Sequence, residues 1–149
     1  PPATATKPSP PPKPPPKPPA PPPPAVNNPC SSTGWGLRPH AARAAHHLIR
    51  KFGIAPGRVG GYRPNAVDAT GHPAGLAVDL GVDRATGDRM AAYLIQHWAT
   101  FNIKYVIWFQ RINYGKGWSG MESRGSITAD HRDHLHLQLN VKPGPGLPC

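Results

Sequence analysis

From residue 39 onward the apolar positions recur with two periods, and each period names an element. Between Pro39 and Phe52, Ala41, Ala44, Ala45, Leu48 and Phe52 return every three or four residues. That spacing predicts an amphipathic helix, with Pro39 in its first turn and Gly53 as its stop. A second helix is expected over residues 86–101, where Met90, Tyr93, Leu94, Ile95 and Trp98 carry the pattern. Elsewhere the period is two. Leu135, Leu137 and Leu139 alternate with His134, His136 and Gln138, as in a half-buried strand. Residues 76–80 alternate in the same way, and residues 58–62 are expected as a short strand. Residues 103–109 are rich in β-branched and aromatic side chains and predict a buried strand. Residues 110–128 are rich in glycine and read as one long loop. The order α-β-β-α-β-β predicts an α+β domain, a small antiparallel sheet flanked by helices.

The chain ahead of this pattern is different in kind. The first 24 of its 149 residues include 15 prolines with interspersed lysine. Proline fixes φ and lacks a donor, so residues 1–29 are expected to be an extended, semi-rigid linker, and residues 30–149 the folded domain. Cys30 and Cys149 are the two cysteines and bracket that domain. A disulfide between them is expected. It would close a loop of about 120 residues and contribute about 4–5 kcal/mol in chain-entropy terms. Two cysteines exclude a multi-cysteine zinc module, and no apolar run approaches a membrane span.

Charge and chemistry then change the picture. Lys and Arg total 17 against 7 Asp and Glu, a net charge of +10, while 8 histidines accompany those few acids. On the strand at 76–80, Val78 and Leu80 take the core face while Ala77 and Asp79 share the other. A turn at Pro73–Gly75 folds His72 back over Asp79. On the last strand His134 and His136 point one way and the leucines the other, whereas a solvated face would favour Lys, Thr or Glu. His72, Asp79 and His136 therefore supply three protein ligands of a catalytic zinc site with one position open. Asp133, three residues before His136, is a candidate general base, and His134 is the alternative base or an oxyanion stabiliser. Arg63, held by Pro64 in a rigid turn, suits a substrate carboxylate. Trp118 lies in a loop expected beside the cleft, where it is a candidate substrate contact.

The run Thr70-x-His72-x-x-Gly75-x-Ala77-x-Asp79 resembles the S-x-H-x-x-G-x-A-x-D signature of the LAS-type zinc peptidases, the lysostaphin, D-Ala-D-Ala metallopeptidase and sonic hedgehog superfamily. Asp133-x-x-His136 is similar to the acidic-x-x-His element of the D,D-carboxypeptidase branch, and Gly61-Tyr62-Arg63 to its G-Y-R segment. Thr70 stands where the signature has Ser, Asp133 where it usually has Glu, and Leu135 where many members have Trp. The resemblance implies a hedgehog/DD-peptidase-like fold, Zn2+ on His72, Asp79 and His136, and substrate contacts from Thr70 and Arg63. The implied activity is hydrolysis of amide bonds in peptidoglycan stem peptides.

Other chemistries are poorly supported. Gly115-Lys116-Gly117-Trp118-Ser119-Gly120 matches G-x-G-x-x-G, but no helix pattern follows it, as a dinucleotide site requires. There is no G-x-S-x-G element. Nucleic acid is not expected, because the basic residues are scattered and no recognised module is present. Anionic wall polymers fit the charge better, and a secreted, cell-wall-associated protein is expected. Two alternatives remain: a non-catalytic wall-binding module that keeps zinc for structure and, behind it, a basic nucleic-acid-binding protein. His40, His46, His47, His97 and His131 read as structural or exposed.

Overall fold

The computed structural model describes residues 34–145. The linker expected over residues 1–29 and the Cys30–Cys149 pairing lie outside the described residues. Within them stands a six-stranded, wholly antiparallel sheet with helices, in the order β1-β2-β6-β3-β4-β5. This is the α+β class the periodicities predict.

Helix α1, Pro39–Phe52, follows its pattern closely. Proline opens it, Gly53 closes it in the left-handed region (φ 68°), and Ala41, Ala44, Ala45 and Leu48 are buried. Strand β1 is shorter than expected, Val59–Gly60, because a single 3-10 turn occupies Pro56–Arg58. Strand β2 runs Ala77–Gly81, with a second 3-10 turn at His72–Ala74 before it. The helix expected over 86–101 is two helices. Asp83 accepts a hydrogen bond from the Thr86 backbone N–H and caps α2, Arg84–Gln96. His97 then leaves helical geometry and α3, Trp98–Phe101, follows. No glycine or proline marks that break, so the apolar periodicity runs across it.

Strands β3, Ile103–Trp108, and β6, His134–Leu139, form the middle of the sheet with β2. The loop expected over 110–128 instead contains β4, Arg111–Asn113, and β5, Trp118–Gly120. Its first hairpin joins Trp108 to Arg111 through Phe109 and Gln110, both at positive φ (53° and 59°). Such two-residue turns normally recruit Asn-Gly, so Phe-Gln gives no signal in the sequence. Tertiary contacts hold the turn. The Phe109 and Gln110 N–H groups donate to the carbonyls of His131 and Asp130, and the Arg84 and Arg132 guanidinium groups lie over the Phe109 ring.

Alternation gives the sheet two unlike faces. Val78, Leu80, Val106, Trp108, Leu135, Leu137 and Leu139 meet the helices in the core. Trp108 lies where a Cβ on Gly87 of α2 would sit, so that helix accepts only glycine there. A register shift between Ile103 and Tyr105 lets Ile103 enter the core while Tyr105 turns to the opposite face. That opposite face carries the polar side chains considered next.

Candidate metal centre

Strand pairing brings the expected ligands together. Asp79 on β2 is the direct partner of His136 on β6, and both are buried. The one-turn helix at His72–Ala74 is closed by Gly75 at φ 71°, and it lays the His72 ring beside them. A Cβ on Gly71 would fall 2.5 Å from Gln138 Oε1, so the turn needs glycine to lie this close to the sheet. His72 Nε2 is 3.2 Å from Asp79 Oδ2, and His136 Nδ1 is 2.9 Å from Asp79 Oδ1. Together the three residues form a buried group that could hold a metal ion.

Two observations favour a cation at this point. His72 Nδ1 lies 2.6 Å from the Gly61 carbonyl. A carbonyl only accepts, so Nδ1 carries the ring proton and Nε2 of the neutral ring is a lone pair. That lone pair is buried, makes no hydrogen bond, and faces a carboxylate. A positive ion between them would satisfy both. One candidate ligand atom from each of the three residues lies within 4.8 Å of the other two. Burial pushes the Asp79 carboxyl up, but the hydrogen bond from His136 and the two imidazoles packed beside it outweigh burial and hold it far below the usual carboxylate range. The Gly61 carbonyl fixes the His72 tautomer and Arg63 Nη1, 2.9 Å from Asp79 Oδ2, braces the carboxylate, as outer partners of metal ligands do.

His134 stands at the edge of this group, its Nε2 3.9 Å from Asp79 Oδ1. Its Nδ1 is 2.7 Å from Asp133 Oδ1. Hydrogen bonds from Thr128 and His134 hold Asp133 below its ordinary range, so the carboxylate accepts and His134 Nδ1 is the protonated nitrogen. Asp133 itself does not line the cavity and reaches the site only through His134.

The remaining expected residues separate. Thr70 is a brace: its backbone N–H and hydroxyl donate to Asp68 Oδ1, and Lys104 Nζ donates to its hydroxyl. Asp68 also accepts from the Tyr105 hydroxyl at 2.7 Å. Hydrogen bonds from Thr70 and Tyr105 hold Asp68 down at about 2. This clasp fixes the segment before His72 to the sheet. Trp118 lies away from the group. It pairs with Asn113, which pairs with Val106, so it shares the core face and packs there under the Arg111 guanidinium.

His131 has no role in the sequence pattern beyond its nearness to His134 and His136 in the chain. Its backbone is left-handed (φ 52°), its ring is 4.7 Å from that of His134 and 5.7 Å from that of His136, and it lines the cavity. Burial, with His134 and His136 beside it, pushes it down to about 4, so it is neutral at neutral pH. No periodicity places a residue in such a turn. Tyr105 was likewise unmarked; its ring stacks on His136 at 5.6 Å and 12°.

A cavity of about 720 Å³ opens over the group. Arg63 and the 64–68 segment form one wall, and Ile107, Ile112, Tyr114, Met121 and Arg124 the other. Among known families, a model described as VldE, C-terminal domain, matches residues 33–132. The match contains Arg63, His72, Asp79 and His131 and ends before His134 and His136. No curated protein and no solved structure matches the chain.

Proposed function

The chain belongs to the family of the VldE C-terminal domain, and for this member we propose a zinc-dependent peptidase that hydrolyses amide bonds in peptidoglycan stem peptides. The observation that carries the reading is the convergence of His72, Asp79 and His136 beneath an open cavity, with a further, oriented imidazole, His134, beside the group. The resemblance of the two motifs to the LAS peptidases supports it. Zinc held by His72, Asp79 and His136 supplies a Lewis acid for a carbonyl and acidifies water.

The protein's own groups do the rest. Asp133 holds His134 with its proton on Nδ1, which leaves Nε2 free to take a proton from attacking water. As the C–N bond breaks and a C–O bond replaces it, the same nitrogen returns that proton to the leaving amine. His134 is thus the proton carrier and Asp133 its orienter, in the manner of an Asp–His pair. Arg63 holds Asp79 in place through its hydrogen bond to Oδ2.

Charge supports an anionic wall substrate. Among the described residues only Asp79 and Asp88 pair with an arginine. Asp68, Asp83, Asp130 and Asp133 are occupied by hydroxyl, backbone N–H or imidazole donors. Most of the cationic surface is therefore left for a polyanion.

The test is zinc content together with release of new amino groups from purified peptidoglycan. One zinc per chain with release is expected for the wild type. The His134→Ala variant should keep the zinc and lose about 10²–10⁴-fold in rate. Zinc without release from any wall substrate would replace this reading with that of a wall-binding module, and absence of zinc would remove the metal centre.

A further inference from the structure

We propose that Arg124, from the wall opposite Arg63, is the anion-recognising residue of the cavity, and that it selects ligands with a free carboxylate beside an apolar group. The proposal rests on the peptidase reading only for what happens after binding. It begins with how the arginines are occupied. Arg38, Arg50 and Arg58 donate to backbone carbonyls, Arg89 to a threonine hydroxyl and Arg132 to Gln110. Arg63 and Arg84 pair with carboxylates, Arg111 lies over Trp118, and Arg43 also has a partner. Alone among the described arginines, Arg124 makes no hydrogen bond, ion pair or ring contact through its guanidinium, and it lines the cavity.

Its backbone, by contrast, is tightly held. The Arg124 N–H donates to Asp130 Oδ1 at 2.6 Å, and the Ser123 hydroxyl donates to Asp130 Oδ2 at 2.8 Å. Asp130 is buried. One residue pair upstream, Met121 and Gln110 exchange two hydrogen bonds, Met121 N–H to the Gln110 carbonyl and Gln110 Nε2 to the Met121 carbonyl. Both oxygens of Asp130 accept hydrogen bonds from the loop, and the Arg124 charge acts on that carboxylate without an ion-pair contact, so the guanidinium is left for a ligand. A planar cation so placed binds a carboxylate bidentately.

Arg63 is less suited to that task. Its Nη1 is committed to Asp79, and moving it to a ligand would strip a brace from the buried carboxylate. Apolar surface lines the cavity along with Arg124: Ile112, Met121 and Tyr114, the last 62% exposed with its ring 5.6 Å from that of Tyr105. Cation and apolar wall together define the ligand.

The experiment is a titration of the whole protein with 3-phenylpropionate and with its uncharged amide, followed by amide chemical shifts of residues 105–124. Neither probe needs to be hydrolysed. The wild type is expected to prefer the carboxylate by about tenfold or more, the range of a charge-assisted contact. Arg124→Gln should abolish that preference, Arg124→Lys restore part of it, and Arg63→Gln leave it in place. A preference that survives in Arg124→Gln, as it would if the carboxylate sat on the metal, would overturn the proposal. So would a preference lost in Arg63→Gln, or no carboxylate preference in the wild type. A protein with no peptidase activity but with this pattern would retain the proposal and lose the peptidase reading; an active peptidase indifferent to Arg124 would do the reverse.

Discussion

The two faces of the central sheet come from the same strands and do opposite work. On β6, Leu135, Leu137 and Leu139 are buried against the helices, while His134, His136 and Gln138, one residue away each time, take the other face, where His136 and Gln138 line the cavity. On β2 the division falls between Val78 and Leu80 on one side and Ala77 and Asp79 on the other. The apolar face gains free energy by leaving water. The polar face gives some back, since it buries a carboxylate, two imidazoles and a glutamine. The core face anchors the strands from which Asp79 and His136 meet as register partners. Stability and chemistry are adjacent in the chain yet separable by parity.

That separation can be broken deliberately, and the largest effect is expected from the ligands. His136→Ala should drop zinc content from about one per chain to near zero and remove hydrolysis, measured by metal analysis and amine release. Its neighbour provides the contrast. Leu137→Ala should cost about 2–5 kcal/mol in denaturant melts, with zinc content and the ligand geometry retained in the fraction that remains folded. A similar result for both variants would mean that the faces are not independent. Asp133→Asn sharpens the comparison inside the polar face. It should lower turnover about 10-fold to 100-fold with zinc unchanged, because the tautomer of His134 is no longer fixed.

The smallest effect belongs to the clasp behind His72. Asp68→Asn should cost about 1 kcal/mol, since it loses charge-assisted hydrogen bonds from Thr70 and Tyr105 at a partly exposed site. The same group gives a pH dependence. Its folded pKa is depressed to about 2, below the ordinary value of 3.8, so its contribution is complete above pH 4. It is lost as the pH falls from about 4 toward 2, where the folded carboxyl takes up its proton. Melting curves of wild type and Asp68→Asn should converge across that window.

How far the sequence could be read depended on whether local spacing or distant contact set each feature. Period-two alternation was enough to place Asp79 and His136 on one face and to send Val78, Leu80, Leu135 and Leu137 to the other. Period 3.6, a proline and a glycine located α1 to the residue. The metal ligands were legible because two of them are next to apolar positions that fix a strand's parity, and the third lies in a short Gly/Pro turn. The hairpin at Phe109-Gln110 was not legible, because its left-handed residues are held by the carbonyls of Asp130 and His131 and by two flanking arginines. The break at His97 carried no helix-stopping residue.

The sequence by itself therefore determined the α+β class, the core leucines and the identity of the three candidate ligands, all of which follow from periodicity and residue type. Only the tertiary structure decided the registration of Asp79 opposite His136, the tautomer that Gly61 imposes on His72, and the pairing of Asp133 with His134 instead of with the cavity. It also moved Trp118 to the core face and brought His131 and Arg124 to the cavity. Each of these depends on which backbone groups meet across the sheet, and that is settled when chain segments tens of residues apart pack together.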